Sequence, residues 1–531
     1  MDAFGVIDYI ALIVYFGAMA SLGPWFAKKA RTTEGYFLGD RQFPGWLIGF
    51  SLFATSISSI TFVAYPADAF RTAWYRMTPN FAQPVAVLIA ILFFLPFFRR
   101  GMITSAYQYL EMRFGPWTRV YAAAAYLVSQ VIRVSLVLYL ISVILYTVTG
   151  LNPYLTIVVA GVITSFYTVL GGIRAVVWTD FIQAMVLFGG GLLCLVFIVM
   201  AVPGGMPEII STAIEDGKLA MADLNPETNE LEPVPWLPDL TQKTVTLIFL
   251  MGLGHWLFEF SSQQQIIQRY VASRSARDAK MAMWVNCLFS IPTWALFLFL
   301  GTALYVFYSY VYESEYAMAL LEGAEGTVPE EILPYFVITQ LPVGVTGIIL
   351  AAVMAAAMSS LSSSINAFSS VMHTDIYSRH IAPGKTDRHY VIVAKIVSAG
   401  LGVVMVVGAM LLRALEETTL QDTATVITAL TAGGLLGLYL LGFFTTLGDD
   451  RSMLCGIGLT LLFTLWMVLS RMGFLPDALT SPIHSYYASF LGHGLMFGVG
   501  FFFGKFVFPR KYDEHALDNL TVWTQDDTPI E

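Results

Sequence analysis

Ala355-Ala-Ala-Met-Ser-Ser-Leu-Ser-Ser-Ser-Ile-Asn366 puts five serines into six positions, inside an apolar segment that begins near Val345. Hydrocarbon offers a hydroxyl no partner, so serines at membrane depth must bond to backbone carbonyls or to something brought among them. Two readings follow. Small residues let helices approach closely, with each hydroxyl returned to a carbonyl of its own helix. Alternatively, several hydroxyls face one cavity and replace the hydration shell of a small hard cation.

Composition places the stretch in a bilayer. The chain has 531 residues, 57% hydrophobic and 12% charged, with a mean hydropathy of +0.69. Soluble domains carry about twice that charged fraction. The chain therefore reads as one polytopic membrane unit. Cys194, Cys287 and Cys455 all fall in apolar segments without metal-like spacing, so they read as small core residues. The first apolar segment has no basic leader and no cleavage site, which makes it a retained span.

Runs of about 20 apolar residues give thirteen expected spans, at 6–27, 44–70, 77–98, 117–149, 152–171, 175–201, 243–267, 280–309, 339–378, 389–412, 423–447, 452–471 and 484–508. With the N-terminus outside, 21 of the 28 basic residues, Arg269 among them, fall on the inside. The two longest outside loops, 202–242 and 310–338, contain only Lys218. The expectation is a multi-pass protein of the cell (inner) membrane, N-terminus out and C-terminus in. The tail after Phe508 is short and acidic.

Two spans contain interruptions. Ala54-Thr-Ser-Ile-Ser-Ser-Ile-Thr61 sets polar and β-branched residues at mid-membrane in the second, and Gly252-Leu-Gly254 precedes His255 and Glu259 in the seventh. Matched breaks in two halves point to a secondary transporter with a midplane site. Ionisable groups within spans are costly and mark function. Asp180 is expected either to pair with Arg174 or to serve a cation. Arg133 has no acidic residue within two turns, so it either receives a carboxylate ligand or reaches Glu259 or Asp180 on another helix. Glu259 and His255 read as a proton relay or as gate and helix-contact groups. No Walker loop and no nucleophile–base pair suggests an enzyme or an ATP-driven pump.

These residues resemble the sodium:solute symporters, whose core is a LeuT-type inverted repeat. The resemblance runs from Phe37-Leu-Gly-Asp-Arg41 to about Gly442. It is carried by Tyr167-Thr-Val-Leu-Gly-Gly-Ile-Arg-Ala-Val-Val-Trp-Thr-Asp180, Gln265-Ile-Ile-Gln-Arg269, Leu341-Pro-Val-Gly-Val-Thr-Gly347, the serine stretch and Thr374-Asp-Ile-Tyr377. It implies an all-α fold of 5+5 helices, with the first and sixth core helices broken. The domains would be an extra helix and loop at 1–43, a core at 44–447 (repeats near 44–201 and 243–447), two further helices at 448–508 and a tail at 509–531.

The same resemblance implies one sodium site at Ala54, Ile57, Ala356, Ser359 and Ser360. A second would lie at Asp180, Ser359, Ser362 and Ser363, so one or two sodium ions and no organic cofactor are expected. Gln130-Val-Ile-Arg133 and Val148-Thr-Gly-Leu-Asn-Pro-Tyr154 are similar to the sialic acid branch, which implies a carboxylate on Arg133 with Ser56, Ser58, Thr61 and Asn80 around the solute. Asn80 stands where that branch has glutamine, and Arg76 where it has an aromatic residue. Tyr107-Gln-Tyr-Leu-Glu-Met-Arg-Phe114 resembles the vitamin, iodide and monocarboxylate carriers as well. Symport of a neutral sugar or polyol, or of another anion, and a non-transporting sensor or channel therefore stay open. The expected partners are the solute, sodium and the lipid bilayer, with no nucleic acid, for a monomer or weak oligomer.

Overall fold

A backbone in hydrocarbon must satisfy its own hydrogen bonds, so apolar runs of bilayer length become helices. The computed structural model describes residues 5–100, 103–225, 228, 230–324, 327–415, 434–484, 487–509 and 516–525. Among these, ten helices are long and apolar enough to cross a membrane, and a bent pair makes an eleventh span. The expected fifth and sixth spans form a single run, Pro153–Ala201, of 49 residues. As one straight helix it would be about 73 Å long, more than twice the hydrocarbon core. Gly172 divides it, with φ 57 and ψ −152. A side chain there would place its Cβ 2.6 Å from the Tyr36 carbonyl oxygen, so only glycine fits the turn. The parts 153–171 and 173–201 are each long enough to span. The eleventh expected span, 423–447, lies partly outside the described residues, and its described portion is the helix Leu435–Phe444. The basic residues Arg510 and Lys511 also lie outside them.

The architecture is all-helical apart from one hairpin, Ala222–Leu224 against Leu231–Pro233, in the loop before the seventh expected span. Two repeats of the LeuT-like type are arranged in inverted sense. Five spans is an odd number, so the second repeat enters from the face opposite to the first. Each repeat opens with a broken helix. The first consists of Gly45–Ser56 and Ser59–Arg71, joined through extended Ile57 (φ −96, ψ 121) and Ser58 (φ −114, ψ 175). Its halves are bent by 57°.

The second break is not at Gly252-Leu-Gly254. Val245–Ser262 is one continuous helix, and the chain opens at Gln263 (φ −91, ψ 110) before Gln264–Val271. Gly252 instead permits close packing, since a Cβ there would lie 2.4 Å from Pro79 Cα. The serine stretch lies in Val345–Val371, where every residue from 349 to 367 is buried.

One end of the bundle is rich in arginine. There Arg119 donates to Asp375 Oδ1 at 2.7 Å, to Glu111 Oε2 at 2.7 Å and to the Thr374 carbonyl at 3.1 Å. Arg379 pairs with both oxygens of the same Glu111. Arg113 donates to the carbonyls of Thr445 and Leu447 at 2.8 Å, closing the end of Leu435–Phe444. The hydrogen bond from Arg379 is the main force pulling the Glu111 carboxyl down from 4.5 to about 2, with Arg119 adding to it. A carboxylate held below its unfolded value stabilises the fold above that value, and the stabilisation is lost as pH falls through the folded one. Glu111→Gln is therefore expected to lower the melting temperature of the purified protein by roughly 1–3 °C at neutral pH. The gap to the parent should close between pH 4.5 and about 2, as followed by thermal unfolding in detergent.

Candidate functional site

The first break and the serine helix meet face to face. Ser359 Oγ donates across the interface to the Ala54 carbonyl at 2.8 Å and along its own helix to the Ala356 carbonyl at 3.0 Å. Ser360 Oγ lies 3.5 Å from the same Ala356 carbonyl. Ile57 sits in the break, where its carbonyl belongs to neither helical ladder. Of the five groups expected to bind the first sodium, Ser359 and Ala54 meet across the interface, Ala356 and Ser360 lie beside Ser359 on its own helix, and Ile57 lies in the break. Their oxygens are neutral, which suits a monovalent ion rather than a divalent one.

One helical turn further along lies a buried ionic cluster. Arg269 Nη2 donates to Asp180 Oδ2 at 2.8 Å and to Ser363 Oγ at 2.5 Å, and its Nε donates to Ser51 Oγ at 2.7 Å. Ser51 Oγ donates in turn to Asp180 Oδ2 at 2.5 Å. Asp180 and Arg269 have side-chain exposures of 0% and 1%, so this pair lies wholly inside the protein. Thr55 Oγ1 and Ser363 Oγ are 3.1 Å apart, and Ser363 and Ser362 both donate to the Ser359 carbonyl.

One expectation is corrected here. Asp180 does not pair with Arg174, which donates to Asp40 at 2.7 Å instead. Its cation is Arg269, which the opening at Gln263 and the helix Gln264–Val271 bring to it. The residues expected for a second sodium therefore stand together, but a built-in cation already meets one oxygen of the carboxylate. The other oxygen, Oδ1, has no hydrogen-bond partner among the described residues. Tyr167 and Ser362 stand beside that carboxylate, and Gln183 Nε2 lies 3.5 Å from the Tyr167 hydroxyl.

The expected solute residues Ser56 and Ser58 flank the break, Thr61 lies in the helix after it and Asn80 in the segment that follows. Thr61 and Asn80 are buried, while Ser56 and Ser58 are partly exposed. Asn80 Nδ2 donates to the Tyr65 hydroxyl at 3.0 Å, and Ser56 Oγ to the Leu52 carbonyl at 3.0 Å. Arg76 is committed to Asp68 at 2.9 Å. Arg133, half-buried on Pro116–Thr149, differs from every arginine above: among the described residues it makes no hydrogen bond and no ion pair. His255 is near enough to interact electrostatically with both Arg133 and Glu259, yet Glu259 forms no ion pair with Arg133 among the described residues. A half-buried guanidinium without a carboxylate is equipped to receive one.

The sequence model of the sodium:solute symporter family matches residues 36–456. The chain is 33% identical over 454 residues to the sodium/sialic acid symporter SiaT of Proteus mirabilis, covering 86% of this chain and 88% of the relative. It is 30% identical over 471 residues to the sodium/sialic acid symporter NanT of Aliivibrio fischeri, covering 88% of each. A solved structure of a Na+-coupled sialic acid symporter, substrate-bound and outward-open, superposes with a TM-score of 0.82 at 30% identity, over 94% of this chain and 98% of the other.

Removing one partner from a buried ion pair strands the other charge, at a cost of about 3–5 kcal/mol. Arg269→Met is expected to destabilise the protein on that scale, and Asp180→Asn added to it to recover part of the loss. Thermal unfolding of the single and double variants measures both.

Proposed function

The chain belongs to the sodium:solute symporter family, and from that membership we propose that it imports a carboxylate-bearing sugar acid, a sialic acid, by alternating access. The free guanidinium of Arg133 carries this reading. In hydrocarbon such a group is retained when a ligand completes it, and a planar carboxylate matches its two-pronged donor geometry. Ser58, Thr61 and Asn80 would meet the hydroxyls of the sugar, and Ser56 the edge of the same chamber.

Sodium would enter first, between the carbonyls of Ala54, Ile57 and Ala356 and the hydroxyls of Ser359 and Ser360. Those groups belong to two different helices. An ion held between them ties the broken helix to the serine helix and favours the arrangement open to the side of entry. A second sodium would use the open oxygen of Asp180 with Ser359, Ser362 and Ser363. Neutral ligands in the first site allow release on the low-sodium side.

Under this reading the N-terminus lies outside and the arginine-rich end faces the cytoplasm. Each net charge moved inward gains about 2.3 kcal/mol per 100 mV of membrane potential. Two sodium ions with one monoanion would make the cycle electrogenic. The transporting unit is proposed to be the monomer.

Uptake of labelled sialic acid into proteoliposomes under an inward sodium gradient tests this function. Uptake should depend on sodium and be abolished in Arg133→Ala. Loss of one charged hydrogen-bond partner corresponds to roughly a hundredfold or more in affinity. Sodium-driven uptake of neutral sugars by the parent, with sialic acid neither carried nor competing, would contradict the assignment.

A further inference from the structure

The helix ahead of the transport core, Val6–Ala27, lies outside the residues that match the family. It nevertheless packs along both the serine helix and Pro153–Ala201. Near its start, Asp8 is completely buried. Its Oδ1 accepts the backbone N–H of Gly344 at 2.8 Å and of Gly347 at 2.6 Å, and its Oδ2 accepts that of Gly5 at 2.9 Å. Gly344 is the residue that caps Val345–Val371, so this carboxylate sits on the N-terminus of the serine helix. Helix N-termini carry unpaired N–H groups and partial positive charge, and an anion there satisfies both. The fit leaves no slack, since a Cβ on Gly347 would lie 2.5 Å from Asp8 Cα.

A second contact lies two turns along the first helix. The Tyr15 hydroxyl reaches Met358 Sδ at 3.8 Å, while Tyr167 donates to the Met358 carbonyl at 3.3 Å. Met358 is the residue immediately before Ser359. The first helix therefore holds the serine helix at its capped end and again beside the proposed sodium oxygens. A helix is stiff along its axis. A shift at Gly344–Gly347 would carry Ser359 and Ser360 along the face of the broken helix, and such constellations work only when held within about 0.5 Å.

We infer that Asp8 is a positioning residue for sodium: by capping the serine helix from outside the core, it sets the depth at which Ser359 and Ser360 face Ala54 and Ile57. The inference rests on the sodium-site reading above. Asp8 does not touch the ion. It converts the extra helix from a membrane anchor into part of the coupling machinery.

The test is a sodium titration of thermal stabilisation in the purified full chain, with potassium holding ionic strength constant. Asp8→Asn loses the charge and presents an amide to the cap, and it should raise the sodium half-saturation about fivefold, the ratio expected for one cap interaction. Asp8→Ala, which removes the cap acceptor as well as the charge, should raise it further. Tyr15→Phe, which removes only a hydroxyl, should shift sodium about twofold and serves if the Asp8 variants do not fold. Ser359→Ala is the reference. If Ser359→Ala weakens sodium while Asp8→Asn and Tyr15→Phe lower stability without moving the half-saturation, Asp8 is a structural cap only and the inference falls. If Ser359→Ala leaves sodium unmoved, the sodium-site reading fails and takes the inference with it.

Discussion

Asp180 and Arg269 are held against each other with no exposure to solvent, and four segments of the core meet at that contact. Asp180 comes from 173–201, Arg269 from the second half of the second broken helix, Ser51 from the first broken helix and Ser363 from the serine helix. A buried carboxylate is tolerable only with a cation and donors around it, and a buried guanidinium only with acceptors. The pair thus fixes which helices must be neighbours. Once they are, the carbonyl of Ala54 and the hydroxyl of Ser359 are within bonding distance, which brings together two of the groups proposed for sodium.

Three of the cations within the helical bundle, Arg269, Arg113 and the half-buried Arg133, stand in different surroundings. Arg269 neutralises Asp180 and locks packing. Arg113 closes the end of a helix by binding its carbonyls. Arg133 does neither, and its lack of a hydrogen bond or ion pair among the described residues is why it is the residue proposed for the solute. Buried charge is normally expensive unless paired, so the contrast between Arg269 and Arg133 separates structure from function more sharply than either residue alone. Asp8 belongs with the structural ions, but it acts on the helix that carries the sodium oxygens.

Much of this was legible in the sequence. The serine stretch, the polar interruption at 54–61 and the alternation of apolar spans with basic loops each follow from the solvent properties of hydrocarbon, and the fold agrees with them. Two features were not. Gly252-Leu-Gly254 reads as a helix break, because glycine weakens helices, but here the glycine serves close packing against Pro79. The true opening follows Ser261-Ser262 and falls within three consecutive glutamines, 263–265, a polar run at membrane depth that carried the signal. Arg269 falls two residues past the expected span 243–267, so charge bias assigned it only to a side of the membrane. The helix that follows the turn at Gln263 buries it against Asp180. Asp8 was hidden for another reason, since its two partners on the serine helix are backbone groups more than 330 residues away.

The central claim is that sodium and an acidic solute stabilise one and the same arrangement of the broken helix and the serine helix. Linkage then requires each to strengthen the binding of the other by the same factor. Calorimetric binding of sialic acid to the purified chain, over a series of sodium concentrations balanced with potassium, measures that factor directly. The expected affinity rises with sodium, with a logarithmic slope of about two at low sodium, where both ions are taken up with the solute, falling to zero once both sites are full. An affinity indifferent to sodium would contradict it.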